Sequence, residues 1–238
     1  MTALLLACAA PVGPVYLVGG GDVPPELLAD FIDQSGGLVV MVPTAHGSTN
    51  RRRAEFEDAG ATVSWLHTTD ADEADTRSFV EPLRETGGIW FEGGRQWRLV
   101  DAYSSTRFED ELHDAHARGA AIGGTSGGAS ILADVLMRGA VEGKQVVLDD
   151  DYDTGWAILP GTAVDQHIDT HGREDDLRSV VEERGVVGLG LDESTGVIVH
   201  DGEVRVVGTG VVRLWNSDDP ELLTDGDRRD LSTAPMPR

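Results

Sequence analysis

The chain has 238 residues, with 42 Asp and Glu against 19 Lys and Arg, for a formal net charge of −23. That field repels phosphate backbones and anionic lipid head groups, which argues against nucleic-acid and membrane partners, and no apolar run approaches the roughly 18–20 residues that span a bilayer. With 40% hydrophobic residues the chain can still bury a core, and its length suits one large domain better than two small ones.

Lys144 is the single lysine, and the acidic surplus is rich in Asp. Such a surface suits a salty cytoplasm, although a GC-rich genome also exchanges Lys for Arg; the expected location is cytoplasmic. Cys8 is the single cysteine, which removes internal disulfides and Cys-based metal clusters. The apolar leader over residues 1–10 lacks a basic n-region and is shorter than a usual signal peptide. The expectation is a ragged segment over 1–14 and a single domain over 15–238.

Apolar β-branched runs followed by helix-period segments predict βαβ units and a mostly parallel sheet. A strand over residues 15–18 runs into Gly19-Gly20-Gly21 and a helix over 24–34, with proline at its start. A strand over 38–42, a helix over 51–59 and a strand over 61–66 follow; the acidic stretch 70–75 reads as a solvated loop and helix start. Next come a strand over 88–91, the pair Gly93-Gly94, and helices over 96–103 and 106–118, with His113 and His116 on a polar surface face. In the fifth unit 120–122 is apolar, 123–128 a turn and 129–137 a helix. Residues 146–155 read as irregular, 162–167 as a short strand and 174–184 as a helix. The runs 187–191, 196–200, 204–207 and 211–214 alternate with Asp-Gly and Gly turns, which predicts antiparallel hairpins closing one edge of the sheet.

Gly124-Thr125-Ser126-Gly127-Gly128 fits G-x-S-x-G where a buried strand turns sharply into a helix. Small neighbours permit the strained turn that presents a serine hydroxyl, with backbone N–H groups facing a developing oxyanion. A phosphate-binding turn is the alternative, but no P-loop lysine follows and the spacing is not the dinucleotide fingerprint. Gly19-Gly20-Gly21 and Gly93-Gly94 also end strands at the edge where open α/β sheets bind ligands. A serine needs a base, and Asp165-Gln166-His167 ends a strand at that same edge, making His167 the candidate. The histidines at 46, 67, 113, 116, 171 and 200 fall in helices, loops or the hairpin tail. Glu193, just past the strand over 187–191, is the candidate to orient the imidazole, with Glu142 and Asp192 as rivals.

The run Gly123-Gly124-Thr125-Ser126-Gly127-Gly128-Ala129-Ser130, the later Asp165-Gln166-His167 and then Gly188-Leu189-Gly190-Leu191-Asp192-Glu193 resemble the cyanophycinase and aspartyl dipeptidase (peptidase E) family of serine peptidases. The likeness continues upstream in Val15 to Gly21 and in Phe91-Glu92-Gly93-Gly94-Arg95-Gln96-Trp97-Arg98-Leu99, spanning residues 15–199. It implies an α/β, flavodoxin-like three-layer sandwich related to class I glutamine amidotransferases, with serine in place of cysteine. It also implies a Ser-His-Glu triad of Ser126, His167 and Glu193, with Gln96, Asp165 and Gln166 contributing to the substrate pocket and no metal or cofactor. Gly93, Gly94 and Gly127 are the candidate oxyanion and pocket glycines. Two departures stand out: Gly127 occupies the position where the family usually has Ala, and of the arginines that follow the DQH in cyanophycinases only Arg173 is present, among Asp169, Glu174, Asp175 and Asp176. Arg95, Arg98 and Arg173 are enough to clamp one or two carboxylates, so the expected substrate is a short Asp-containing or isoaspartyl peptide rather than cyanophycin. The expected partner is that small peptide, with a homodimer left open.

Three rival readings remain at this stage. Asp165, His167, Asp169 and His171 alternate and would share one face as metal ligands if the strand continued past His167. The order Ser126, Asp192, His200 would fit an α/β-hydrolase. A non-catalytic protein of the same fold would bind a ligand without hydrolysing it.

Overall fold

The computed structural model describes residues 12–47, 52–216 and 219–231, so the reading of the leader and of Cys8 lies outside the described residues. Five parallel strands form the centre: β1 (Val15–Val18), β2 (Leu38–Val42), β3 (Thr62–Trp65), β4 (Gly88–Phe91) and β5 (Ala121–Thr125), side by side in the order β1-β5-β4-β2-β3. The core of this sheet is apolar on both faces, because helices or a second sheet cover both.

Helices α1 (Pro25–Gln34) and α2 (Arg53–Asp58) cover one face. Pro25 starts α1 with a preset φ, and Leu27, Leu28, Phe31 and Ile32 make its buried stripe. Phe31 and Phe56 both meet Trp90 edge-on, at 5.1 Å between ring centroids. The opposite face carries α3 (Ala71–Ala74), α4 (Arg77–Glu85), α5 (Trp97–Tyr103) and α6 (Arg107–Ala117). The Asp70 side chain accepts the Asp72 N–H at the start of α3, in keeping with the acidic stretch as a helix start. No element was expected across 76–87, yet α4 lies there, capped by Thr76 and packed through Phe79, Val80 and Leu83; Pro82 inside it hides the helical signal. His116 is half-buried rather than on the surface face, and its Nε2 donates to the Gly13 carbonyl at 2.7 Å.

The largest departures follow β5. The strand runs through Gly123 and Gly124 instead of ending at Ile122, and the expected helix over 129–137 is only one turn, α7 (Gly127–Ser130), before β6 (Ala133–Val135). Pairing of β6 with β7 (Leu159–Gln166) overrides the helical pattern there, and the Asp134 carboxylate accepts the Gly161 N–H at 3.0 Å. After β7 come the turn α8 (Ile168–His171), the helix α9 (Glu174–Arg184), and strands β8 (Val187–Leu191), β9 (Thr195–His200), β10 (Glu203–Gly208), β11 (Val212–Trp215), β12 (Glu221–Leu223) and β13 (Arg228–Asp230). These strands do not all close one edge. β9, β10 and β13 extend the main sheet antiparallel beside β1, whereas β11 and β12 join β6, β7 and β8 in a second sheet of order β12-β11-β8-β7-β6. That sheet packs against the main one, with α9 on its outer side. The whole is an α/β sandwich whose mostly parallel central sheet is flanked by helices and by this smaller sheet.

Candidate active site

The C-terminal end of β1 organises three chain segments. The Val18 carbonyl accepts the Ser126 N–H at 2.8 Å, the Gly19 carbonyl the His167 N–H at 3.0 Å, and the Gly20 carbonyl the Ser194 N–H at 2.8 Å. Ser126 comes from the main sheet through β5, while His167 follows β7 and Glu193 follows β8 in the second sheet. His167 therefore does not lie at the edge of Ser126's own sheet, as the sequence had implied; it reaches the serine across two sheets that β1 joins.

Ser126 sits at φ 53°, ψ −122°, a strained elbow that only the surrounding glycines allow. A Cβ at Gly128 would lie 2.3 Å from the Phe91 carbonyl oxygen and one at Gly124 would lie 2.2 Å from that of Gly128, so both must be glycine for the turn to close. A Cβ at Gly127 would lie 2.7 Å from the Gly94 carbonyl oxygen, which accounts for Gly at the position after the serine. His167 is at φ 57°, ψ 39°, and α8 begins directly after it. This left-handed residue stops β7 at Gln166 and turns the imidazole toward the elbow.

Ser126 Oγ lies 2.8 Å from His167 Nε2, and His167 Nδ1 lies 2.6 Å from Glu193 Oε1. With the ring proton on Nδ1 donated to the carboxylate, Nε2 is left to accept from the serine hydroxyl. Gly20 (φ +113°) forms the floor under the ring: a Cβ there would fall 2.1 Å from His167 Cε1. Ser126 and His167 open into a cleft of about 540 Å³ lined also by Gly20, Gly21, Asp22, His46, Arg52, Glu55, Glu92, Gly93, Gly94 and Thr125, and Glu193 is not part of that lining. A Cβ at Gly93 would lie 3.0 Å from Ser126 Cβ, so its backbone faces the nucleophile directly.

The other expected pocket residues are elsewhere. Gln96 is buried behind the elbow, against Gly127, and donates to the Met137 carbonyl at 3.2 Å. Asp165, fully buried, accepts a two-pronged contact from Arg138 (2.9 and 2.8 Å) and lies 3.6 Å from Arg173. Arg173 Nη1 donates to the Gln166 carbonyl and side-chain oxygens at 2.7 and 2.6 Å. Asp165, Gln166 and Arg173 thus brace the end of β7 from behind instead of lining the cleft. Burial opposes the charge on both arginines; Asp165 and Asp176 outweigh it at Arg138, whose pKa is raised, whereas Arg173 is held below its ordinary range. Arg95 donates to the Ala140 carbonyl at 2.6 Å, and Arg98 stacks on the Trp97 ring.

The rival readings lose their geometry. β7 ends at Gln166, so Asp165, His167, Asp169 and His171 do not share a strand face, and no group of three or more His, Cys, Asp or Glu side chains placed to hold a metal occurs among the described residues. Asp192 pairs with Arg213 at 2.6 Å, His200 is exposed beside Asp201, and Glu142 is exposed; the carboxylate on Nδ1 of His167 belongs to Glu193. Arg52, which the sequence did not single out, lines the cleft, with Glu55 at 2.9 Å, Glu92 at 3.6 Å and the Gly21 carbonyl as partners.

A serine hydroxyl on an imidazole, at the C-terminal edge of a mostly parallel sheet, is the arrangement of a serine hydrolase on an α/β scaffold. The chain belongs to peptidase family S51, whose family model matches residues 18–207, which makes it a serine-type peptidase by family. Its fold resembles that of a peptidase from an acI-B1 Actinobacterium, with a TM-score of 0.74 at 21% identity over 93% of this chain and 98% of the other. It also resembles a protein from Listeria monocytogenes EGD-e described as peptidase E, with a TM-score of 0.64 at 16% identity over 84% of this chain and 100% of the other. No curated protein matches the sequence. Among the described residues no helix is long and apolar enough to cross a membrane.

Proposed function

We propose that the chain hydrolyses short peptides carrying an aspartyl or isoaspartyl residue, with Ser126 as nucleophile, His167 as general base and Glu193 as the orienting acid. The observation that carries this reading is the unbroken line Ser126 Oγ, His167 Nε2, His167 Nδ1, Glu193 Oε1, whose serine and imidazole line one cleft. In the first step Ser126 Oγ attacks the scissile carbonyl carbon while Nε2 takes its proton, and Glu193 stabilises the imidazolium that forms. The oxyanion falls to backbone N–H groups of Gly127 and of the Gly93-Gly94 turn. His167 then returns the proton to the leaving amine, and a water deprotonated by the same nitrogen hydrolyses the acyl-serine.

The cleft size suits a dipeptide, within the roughly 300–1,000 Å³ common for small ligands. Arg52 is a guanidinium on its wall, paired with Glu55 and Glu92, and with Asp22 beside them the wall carries more carboxylate than guanidinium, which disfavours a polyaspartate chain. The test is a dipeptide panel comparing α- and β-aspartyl linkages, with cyanophycin as a separate arm. Ser126→Ala and His167→Ala are each expected to lower kcat by about 10³-fold or more while the fold persists. A Ser126→Ala variant with near-full activity on a verified substrate removes the serine mechanism.

A further inference from the structure

We propose that Thr170 is a positioning residue that holds Glu193 on His167; this rests on the triad reading above. Thr170 Oγ1 lies 3.2 Å from Glu193 Oε1, the same oxygen that faces His167 Nδ1 at 2.6 Å. Two donors converging on one carboxylate oxygen use both of its lone pairs and fix its direction. The backbone of the acid is held from the same turn, because the Glu193 N–H donates to Asp169 Oδ1 at 3.1 Å.

The need for such a hold follows from exposure. The Glu193 side chain is 37% exposed, and a glutamate with three rotatable bonds at the protein surface would otherwise exchange its imidazole contact for water. α8 supplies the restraint because His167, Asp169 and Thr170 belong to one short segment: the left-handed turn at His167 that aims the ring also folds residues 168–171 back over the β8–β9 connection. Base and acid are thereby referenced to a single piece of backbone, although they sit on neighbouring strands. Thr170 is exposed and buries no apolar surface that would make it a core residue.

The test is a double-mutant cycle of Thr170→Val and Glu193→Gln, read as kcat and KM on the best dipeptide and as the rate of Ser126 modification by a fluorophosphonate. Thr170→Val in the wild-type background should lower kcat about tenfold, the scale of one hydrogen bond to a charged group, with KM within about twofold. Thr170→Ser, which keeps the hydroxyl, should restore most of the loss. In the Glu193→Gln background Thr170→Val should cost nothing further, because its partner's charge is already gone. Unchanged kcat in Thr170→Val overturns the proposal, and so does an equal loss in both backgrounds, which would mark a general effect on the fold. Near-wild-type activity in Glu193→Gln overturns the triad reading itself, and is distinguishable because that variant is measured on its own.

Discussion

Replacing Gly20 with alanine tests whether the imidazole is held where the geometry places it. The new Cβ would stand 2.1 Å from His167 Cε1 and 2.7 Å from each ring nitrogen, whereas ordinary contact begins near 3.4 Å. The ring must therefore move by about 1 Å, and it is pinned on both sides, by Ser126 at 2.8 Å and Glu193 at 2.6 Å. Any movement that relieves the clash lengthens one of these contacts, and a misplacement of about 1 Å costs on the order of 10²-fold in rate. The backbone adds a penalty of its own, because φ +113° is strained for alanine, by roughly 1–3 kcal/mol. At this chain length that lowers Tm by roughly 2–12 °C. Gly60→Ala is the control: at φ +102° with nothing within 4 Å of its Cβ, it carries the strain without the clash. Thermal melts should show a loss of stability in both variants, the larger in Gly20→Ala because the clash adds to the strain, and kinetics should show activity lost only in Gly20→Ala. If Gly20→Ala retained kcat/KM within about threefold of wild type, the contact between β1 and the imidazole would be refuted.

Asp165→Asn should destabilise the protein by about 3–5 kcal/mol in urea unfolding, because it leaves the buried Arg138 and Arg173 with only the half-exposed Asp176 as a carboxylate partner; a loss under about 1 kcal/mol would contradict the buried ion-pair account. Arg52→Ala should raise KM for aspartyl dipeptides about tenfold while leaving that for neutral dipeptides little changed, since the cleft loses its guanidinium; equal effects on both substrates would remove Arg52 from recognition. Burial holds His116 below its ordinary value, although the hydrogen bond to Gly13 opposes this. The unfolded chain therefore binds the proton more readily, so the stability contribution is complete above about pH 6.5 and is lost as pH falls through that value. The urea midpoint of His116→Gln should consequently fall less than that of wild type between about pH 7.5 and pH 5, and parallel declines would contradict the assignment.

The parts of the site that were legible in the sequence are those written in contiguous residues. The strand-elbow-helix run around Ser126 and the Asp165-Gln166-His167 strand end declare their local geometry, because glycine spacing and apolar runs act over a few positions. Their meeting with Glu193 depends on the placement of β7 and β8, and no local pattern says that these strands form a second sheet. For the same reason the hairpin tail looked like one edge when its strands divide between two sheets, and Ala133–Val135 looked helical until pairing with β7 is considered. Arg173 shows the limit most clearly. Its position after the DQH made it a natural carboxylate clamp, but its partners are Gln166 and Asp165 inside the protein. The guanidinium that does reach the cleft, Arg52, comes from the Arg run at 51–53, which carries no motif. Gly20 was visible only as a glycine after a strand; that its missing side chain makes room for the imidazole is a long-range fact.

The central claim, that Ser126 is a nucleophile activated by His167, is tested most directly by treating the protein with a fluorophosphonate and mapping the adduct by mass spectrometry. The account predicts a single phosphonyl group on Ser126, absent in Ser126→Ala and formed far more slowly in His167→Ala. Stoichiometric modification of another residue, or equal labelling in His167→Ala, would contradict it.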